Sequence, residues 1–175
     1  DTAILSIFGN DPWKCYTGRS PLEAAATGIQ LQPGDVSYRC NMIALEDSDL
    51  PFEEKKILSH SGGSIEGDQS IQLVTDLFND PEFQAAAQKA GMVVHPAASF
   101  RHIAVQSGAN IVGIKLIPPH DHLGEVIGPL LPSGNDNAEV LKDLMKLAHK
   151  VLDHHPINEK RRAEGKLPAN GVWFW

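Results

Sequence analysis

Arg19, Arg39, Arg101 with His102, Lys160-Arg161-Arg162 and Lys166 are cations that the sequence places on loops and strand faces of an acidic chain, formal net charge -7. Arginine forks grip phosphate and carboxylate oxygens two at a time, and several together are the usual way to hold a small phosphorylated acid. Taken singly, each also reads as a solvated surface charge. The joint reading requires that they converge. Arg19 has the most telling surroundings, because Asn10-Asp11-Pro12 and Thr17-Gly18-Arg19-Ser20-Pro21 are both turn signals. Ser20 can cap a helix that starts at Pro21, leaving Arg19 on a loop beside free helix N–H groups. Such a place suits a phosphate or carboxylate, although a plain surface salt bridge is the competing reading.

Other chemistries find less support. The chain has eight histidines, but His120-Asp121-His122 points two imidazoles apart on an extended loop, and His154-His155 share no helical face. None has the spacing of a zinc motif, so no metal site is expected within the chain. Cys15 and Cys40 make no metal spacing and no disulfide framework, and read as reduced thiols. No Ser lies in a G-x-S-x-G elbow, and Gly62-Gly63-Ser64 lacks the Lys of a phosphate loop, so it reads as a flexible turn.

The elements that must position these residues follow from patterning. Pro21–Ala26 reads as a short helix ended by Gly28, and 36–45 as a strand after the turn Gln32-Pro33-Gly34-Asp35. In that strand Val36, Tyr38, Cys40 and Met42 face one way, while Ser37, Arg39 and Asn41 face the other. Lys56–His60 is a short strand. Residues 67–79 carry Ile71, Val74, Leu77 and Phe78 at helical spacing, and Pro81 starts another helix that ends at Gly91. Residues 92–96, 100–105 and 110–117 are expected strands, the last two joined by a hairpin at Gly108-Ala109-Asn110. The clearest helix runs from Asn137 to His155, with Asp136 and Glu139 resembling a capping box; a basic helix over 158–164 follows. Residues 3–8 fit helix or buried strand equally. The whole reads as α+β with a mixed, largely antiparallel sheet and helices packed on it.

At 175 residues this is one domain. The acidic balance argues against a nucleic-acid partner. No run of about eighteen apolar residues marks a membrane span, and the first residues lack a basic signal-peptide region. A cytoplasmic location is expected. Both ends of the sequence, from Ala3 to Phe8 and from Val172 to Trp175, are apolar, as at junctions with a larger protein.

Several segments resemble the archaeal-type cofactor-independent phosphoglycerate mutases of the alkaline phosphatase superfamily. They are Asp1-Thr2-Ala3, Gly9-Asn10-Asp11-Pro12, Tyr16-Thr17-Gly18-Arg19, Pro21-Leu22-Glu23-Ala24, Pro33-Gly34-Asp35-Val36, Arg39-Cys40-Asn41, Arg101-His102 and Pro118-Pro119-His120-Asp121. Near the end, His155-Pro156-Ile157-Asn158, Arg161, Gly165-Lys166-Leu167-Pro168-Ala169-Asn170 and Trp173 are similar again. In place of the family's Gly-His-Ile-like segment stands Gly63-Ser64-Ile65; 46–54 and 80–99 align poorly. The resemblance implies that 1–175 is an insertion domain in an alkaline-phosphatase-like core, closing over phosphoglycerate, with junctions at 1–12 and 171–175. It implies no catalytic residue in this chain, the phosphorylated Ser falling just before Asp1, and two divalent metals (Mn, Zn or similar) in the missing core. It names Arg19, Arg39 and Arg101 as the first substrate clamp, with His102, His120, Asp121, Asn158, Arg161, Lys166 and Asn170 next. The alternatives are a domain of a related phosphotransferase or phosphatase (homoserine kinase-like) and a non-catalytic binding module.

Overall fold

The computed structural model describes residues 19–175, apart from the side chains of Arg19 and Leu22. The readings of 3–8 and of the turns within 9–18, and the side chain of Arg19, lie outside these residues. Along the chain run α1 (Arg19–Ala26), β1 (Asp35–Leu45), β2 (Ile57–Ser59), α2 (Gly67–Asn79), α3 (Pro81–Ala90), β3 (Met92–His95), β4 (Arg101–Ser107), α4 (Asp136–Leu152), α5 (Pro156–Ala163) and β5 (Gly171–Phe174). The fold is α+β, and among the described residues every strand pairing is antiparallel.

The long β1 is the hub of the sheet. It pairs with β4 from Asp35↔Ser107 to Asn41↔Arg101, with β5 from Cys40↔Phe174 to Ile43↔Gly171, and with β2 beyond a bulge at Ala44/Leu45. β3 extends the sheet beyond β4. The alternation read from the sequence puts Tyr38, Cys40 and Met42 into the main core, where Leu73, Val74, Leu77, Phe83, Leu141, Leu144, Met145, Ala148 and Leu152 of α2, α3 and α4 meet them. Replacing one such buried leucine by alanine costs about 2–5 kcal/mol, because a cavity adds to the lost transfer energy. On the opposite face, among the described residues, α1 lays Ala24 on Ile103 and Val105, with Ile29 and Leu31 beside them.

Local chemistry explains most boundaries. Asp80 accepts from the N–H groups of Glu82 and Phe83 with Pro81 behind it, and Gly91 closes α3 in the left-handed region. α4 begins at Asp136, its cap being Asn135, whose side chain accepts from Ala138 N–H; the expected Asp136/Glu139 box is not the cap. Ser20 likewise does not cap: α1 starts at Arg19, and Ser20 lies inside it. His155 caps α5 through Nδ1, so that helix starts two residues earlier than expected.

Two expectations fail for tertiary reasons. Residues 110–117 form no strand beyond a single bridge, Lys115↔Ser133. The side chain of Asn135 draws in the carbonyls of Asn110 and Val112 at 2.8 and 3.2 Å, which diverts them from a strand partner. The Gly62-Gly63-Ser64 turn is fixed rather than flexible. Arg161 donates to the carbonyls of Gly62 and Gly63, both at 3.2 Å, and Ser59 Oγ accepts from Gly63 N–H at 3.0 Å.

Candidate functional site

Antiparallel partners share a face, so the register that sends His102 into the core with Cys40 sends Arg101 to the other side with Asn41. β5 adds Trp173 opposite Asn41, and backbone bonds between Arg39 and Trp175 (2.8 and 3.1 Å) prolong the ladder. The face away from the helices thus carries Ser37, Arg39, Asn41, Arg101, Trp173 and Trp175 together. The turn at His120 and the residue after β2, His60, close in on the same face: the His120 ring lies 5.4 Å from that of Trp175 and 6.3 Å from that of His60.

Arg39 is 5% exposed. Its guanidinium lies over the Trp175 ring, 4.7 Å from the centroid, and donates from Nε to Glu23 Oε2 at 2.9 Å and from Nη2 to Glu23 Oε1. Asn41 donates to the carbonyl of His60 at 3.3 Å. Arg101 is exposed, its guanidinium stacked on Phe100 at 5.1 Å. A cleft of about 700 Å³ runs along this face, between Ser20 and Pro21 of α1, Ser37 and Arg39 of β1, Ile114 and Leu116 of the long loop, and His120 and Trp175. A second cleft, about 450 Å³, lies across α1 and is lined by Glu23, His95, Arg101 and Ile103.

Among the described residues, five buried side-chain atoms lack a hydrogen-bond partner: Ser20 Oγ, Ser37 Oγ, Asn41 Oδ1, His60 Nδ1 and Trp175 Nε1. Each such atom costs about 1–3 kcal/mol when left unsatisfied, so they are rare in a fold. All five belong to this face or to the residues packed on it. Donors, acceptors and Arg39 beside apolar walls suit a small polar anion, while Arg101 lines the second cleft.

The remaining sequence candidates lie elsewhere. His102 is fully buried: its Nδ1 accepts from Ala97 N–H at 3.0 Å and its Nε2 meets Ser70 Oγ at 2.9 Å, while that hydroxyl donates to Ser99 O at 2.7 Å. With Nδ1 accepting, the proton sits on Nε2. Burial pushes the imidazole down to about 4, so it stays neutral and pins the loop that delivers Phe100 and Arg101. Asn158 ties Leu152 O and both backbone polar groups of Ala169 at 2.7–3.0 Å. Asn170 continues the sheet with its side chain, accepting from Leu45 N–H at 2.8 Å and donating to Leu45 O at 3.3 Å. Arg161 is spent on the turn at Gly62, on Leu167 O and on Gln69. Lys166 is exposed and paired with Glu164 at 2.8 Å. Asp121 is exposed next to His120.

Sequence reasoning did not select Glu23, His60 or Trp175 for the site. Trp175 had a signal, an aromatic ending a β-prone run. Glu23 and His60 had none, because only the packing of α1 and the bend after β2 brings them in. Among the described residues no three His, Cys, Asp or Glu side chains are placed to hold a metal ion. No helix among them is long and apolar enough to cross a membrane.

Comparison with known proteins agrees along the whole length. Residues 1–158 match the family profile of 2,3-bisphosphoglycerate-independent phosphoglycerate mutase. The chain is 38% identical over its full length to a probable 2,3-bisphosphoglycerate-independent phosphoglycerate mutase of Geobacter sulfurreducens, and 38% to the enzyme so named from Methanosarcina acetivorans. It spans only 41% of each of these relatives. The structure of the cofactor-independent phosphoglycerate mutase from Thermoplasma acidophilum superposes with a TM-score of 0.69 at 25% identity, over 99% of this chain and 44% of that one.

Proposed function

Since the chain belongs to the 2,3-bisphosphoglycerate-independent phosphoglycerate mutase family, we propose that it is the substrate-binding domain of such an enzyme, inserted in a metal-binding core. The parent would interconvert 2- and 3-phosphoglycerate through a phosphoserine in glycolysis and gluconeogenesis, in the cytoplasm. The Ser and two divalent metals (Mn, Zn or similar) belong, in this reading, to the remainder of the protein, and the described residues of this chain do not fit a metal. This chain binds and orients the glycerate and keeps water from the phosphoryl group while it moves between hydroxyls. Arg39 and Arg101 supply the charge, with His120 and Asp121 as further contacts; Arg19, whose side chain lies outside the described residues, is a third candidate cation. His102, Asn158, Arg161 and Asn170 hold the loops that place these groups, and Lys166 stays outside the clamp.

The observation that supports this most is the concentration of unpartnered buried polar atoms around Arg39, on the sheet face that the three core helices leave uncovered. A mutase assay of the full-length protein with manganese and 3-phosphoglycerate tests the reading. Formation of 2-phosphoglycerate is expected; release of free phosphate without isomerisation would overturn it.

A further inference from the structure

Arg39 is nearly buried, yet the edge of its guanidinium is held by a side chain that can leave. Glu23 takes that edge in a two-oxygen grip through Nε and Nη2. Its own side chain is 33% exposed, and it rides on α1, which lays Ala24 on Ile103 and Val105. The indole of Trp175 covers one face of the same guanidinium at 4.7 Å. What can replace Glu23 is therefore restricted in shape. A planar carboxylate offers two oxygens in the plane of the fork and leaves the ring untouched. A tetrahedral phosphate must put further oxygens out of that plane, toward the indole and the apolar wall of Leu31, Val36, Ile114, Leu116 and Pro118, where a dianion loses hydration without gaining partners.

Resting on the substrate reading above, we infer that Glu23 occupies the seat of the ligand's carboxylate, so that Arg39 reads the acid end of the substrate and not its phosphate. Binding exchanges one carboxylate for another. The guanidinium is never left buried and unpaired, which would be the costly state. Glu23 thereby sets specificity: an anion that cannot match a carboxylate in the fork does not displace it.

The test measures binding by titration calorimetry to the full-length protein carrying this chain, with 3-phosphoglycerate and glycerol 3-phosphate as probes. Glu23→Gln keeps the size and removes the competing charge; it should tighten 3-phosphoglycerate about five- to tenfold and leave glycerol 3-phosphate unchanged. Glu23→Asp, which shortens the reach, should act in the same direction and serves if Glu23→Gln folds poorly. In an Arg39→Ala background the gain should vanish, as a double-mutant cycle requires for coupled groups. No tightening in either Glu23 variant, or equal tightening of both probes, overturns the inference while leaving the site in place. Failure of Arg39→Ala to weaken 3-phosphoglycerate overturns the substrate reading itself.

Discussion

Acidification should cost this fold stability through His102, and the size of the loss follows from two numbers. The unfolded imidazole titrates near 6.5, and burial lowers it to about 4 in the folded state. A depressed histidine favours the folded state above its unfolded value, where both states are neutral, and that advantage is lost as pH falls from about 6.5 toward 4. The separation corresponds to about 3 kcal/mol in full, of which about 2 kcal/mol disappears between about pH 7 and pH 5. The structural cause is specific. A proton added to Nδ1 would face the Ala97 N–H that now donates to it, in a site without solvent. His149, also lowered chiefly by burial, pulls in the same direction. The effect of His102 is therefore isolated by comparison with His102→Gln. Urea unfolding of the two forms at both pH values should show the variant losing about 2 kcal/mol less than the parent sequence. An NMR titration of the His102 ring proton should give a midpoint well below 5. A midpoint near 6.5, or identical acid sensitivity in the variant, would refute the reasoning.

In the full-length protein, Arg39→Ala should raise KM and lower kcat/KM for 3-phosphoglycerate at least about tenfold, since a charge-assisted contact is worth more than about 1 kcal/mol; steady-state kinetics decide. Arg161→Ala should instead destabilise by about 3 kcal/mol in denaturant unfolding with KM little changed, because it frees the carbonyls of Gly62, Gly63 and Leu167. A KM effect as large as that of Arg39 would move Arg161 back into the clamp. Gly134→Ala should lower stability by more than about 2 kcal/mol in thermal melts: its φ is +104°, and an added Cβ would stand 2.1 Å from the Gly113 carbonyl oxygen. A neutral result would mean that the crossing of these two loops is not tight.

Much of this architecture was legible in the residues. Alternation in β1 assigned Tyr38, Cys40 and Met42 to the core and Arg39 with Asn41 to the other face, because side-chain period in a strand is a property of the backbone alone. The apolar stripes of α2 and α4, the proline at the start of α3 and the glycine at its end are equally local signals; the structure follows them except that Leu73 rather than Ile71 enters the core and Val140 is exposed. The family motifs, spread from Asp1 to Trp173, pointed to the mutases independently of any fold.

What the sequence could not decide is which polar residues are spent on the fold. Arg39, Arg101, Arg161 and His102 look alike as motif residues, and only their partners separate them. Arg161 binds backbone carbonyls of a turn nearly a hundred residues away, and His102 turns inward because its register partner is Cys40. By the same register Arg101 turns outward, onto Phe100 and the second cleft. The three core helices cover one face of the sheet, leaving Arg39 on the other to stack on Trp175. That division depends on strand pairing across more than sixty residues, a tertiary choice that local preference does not encode.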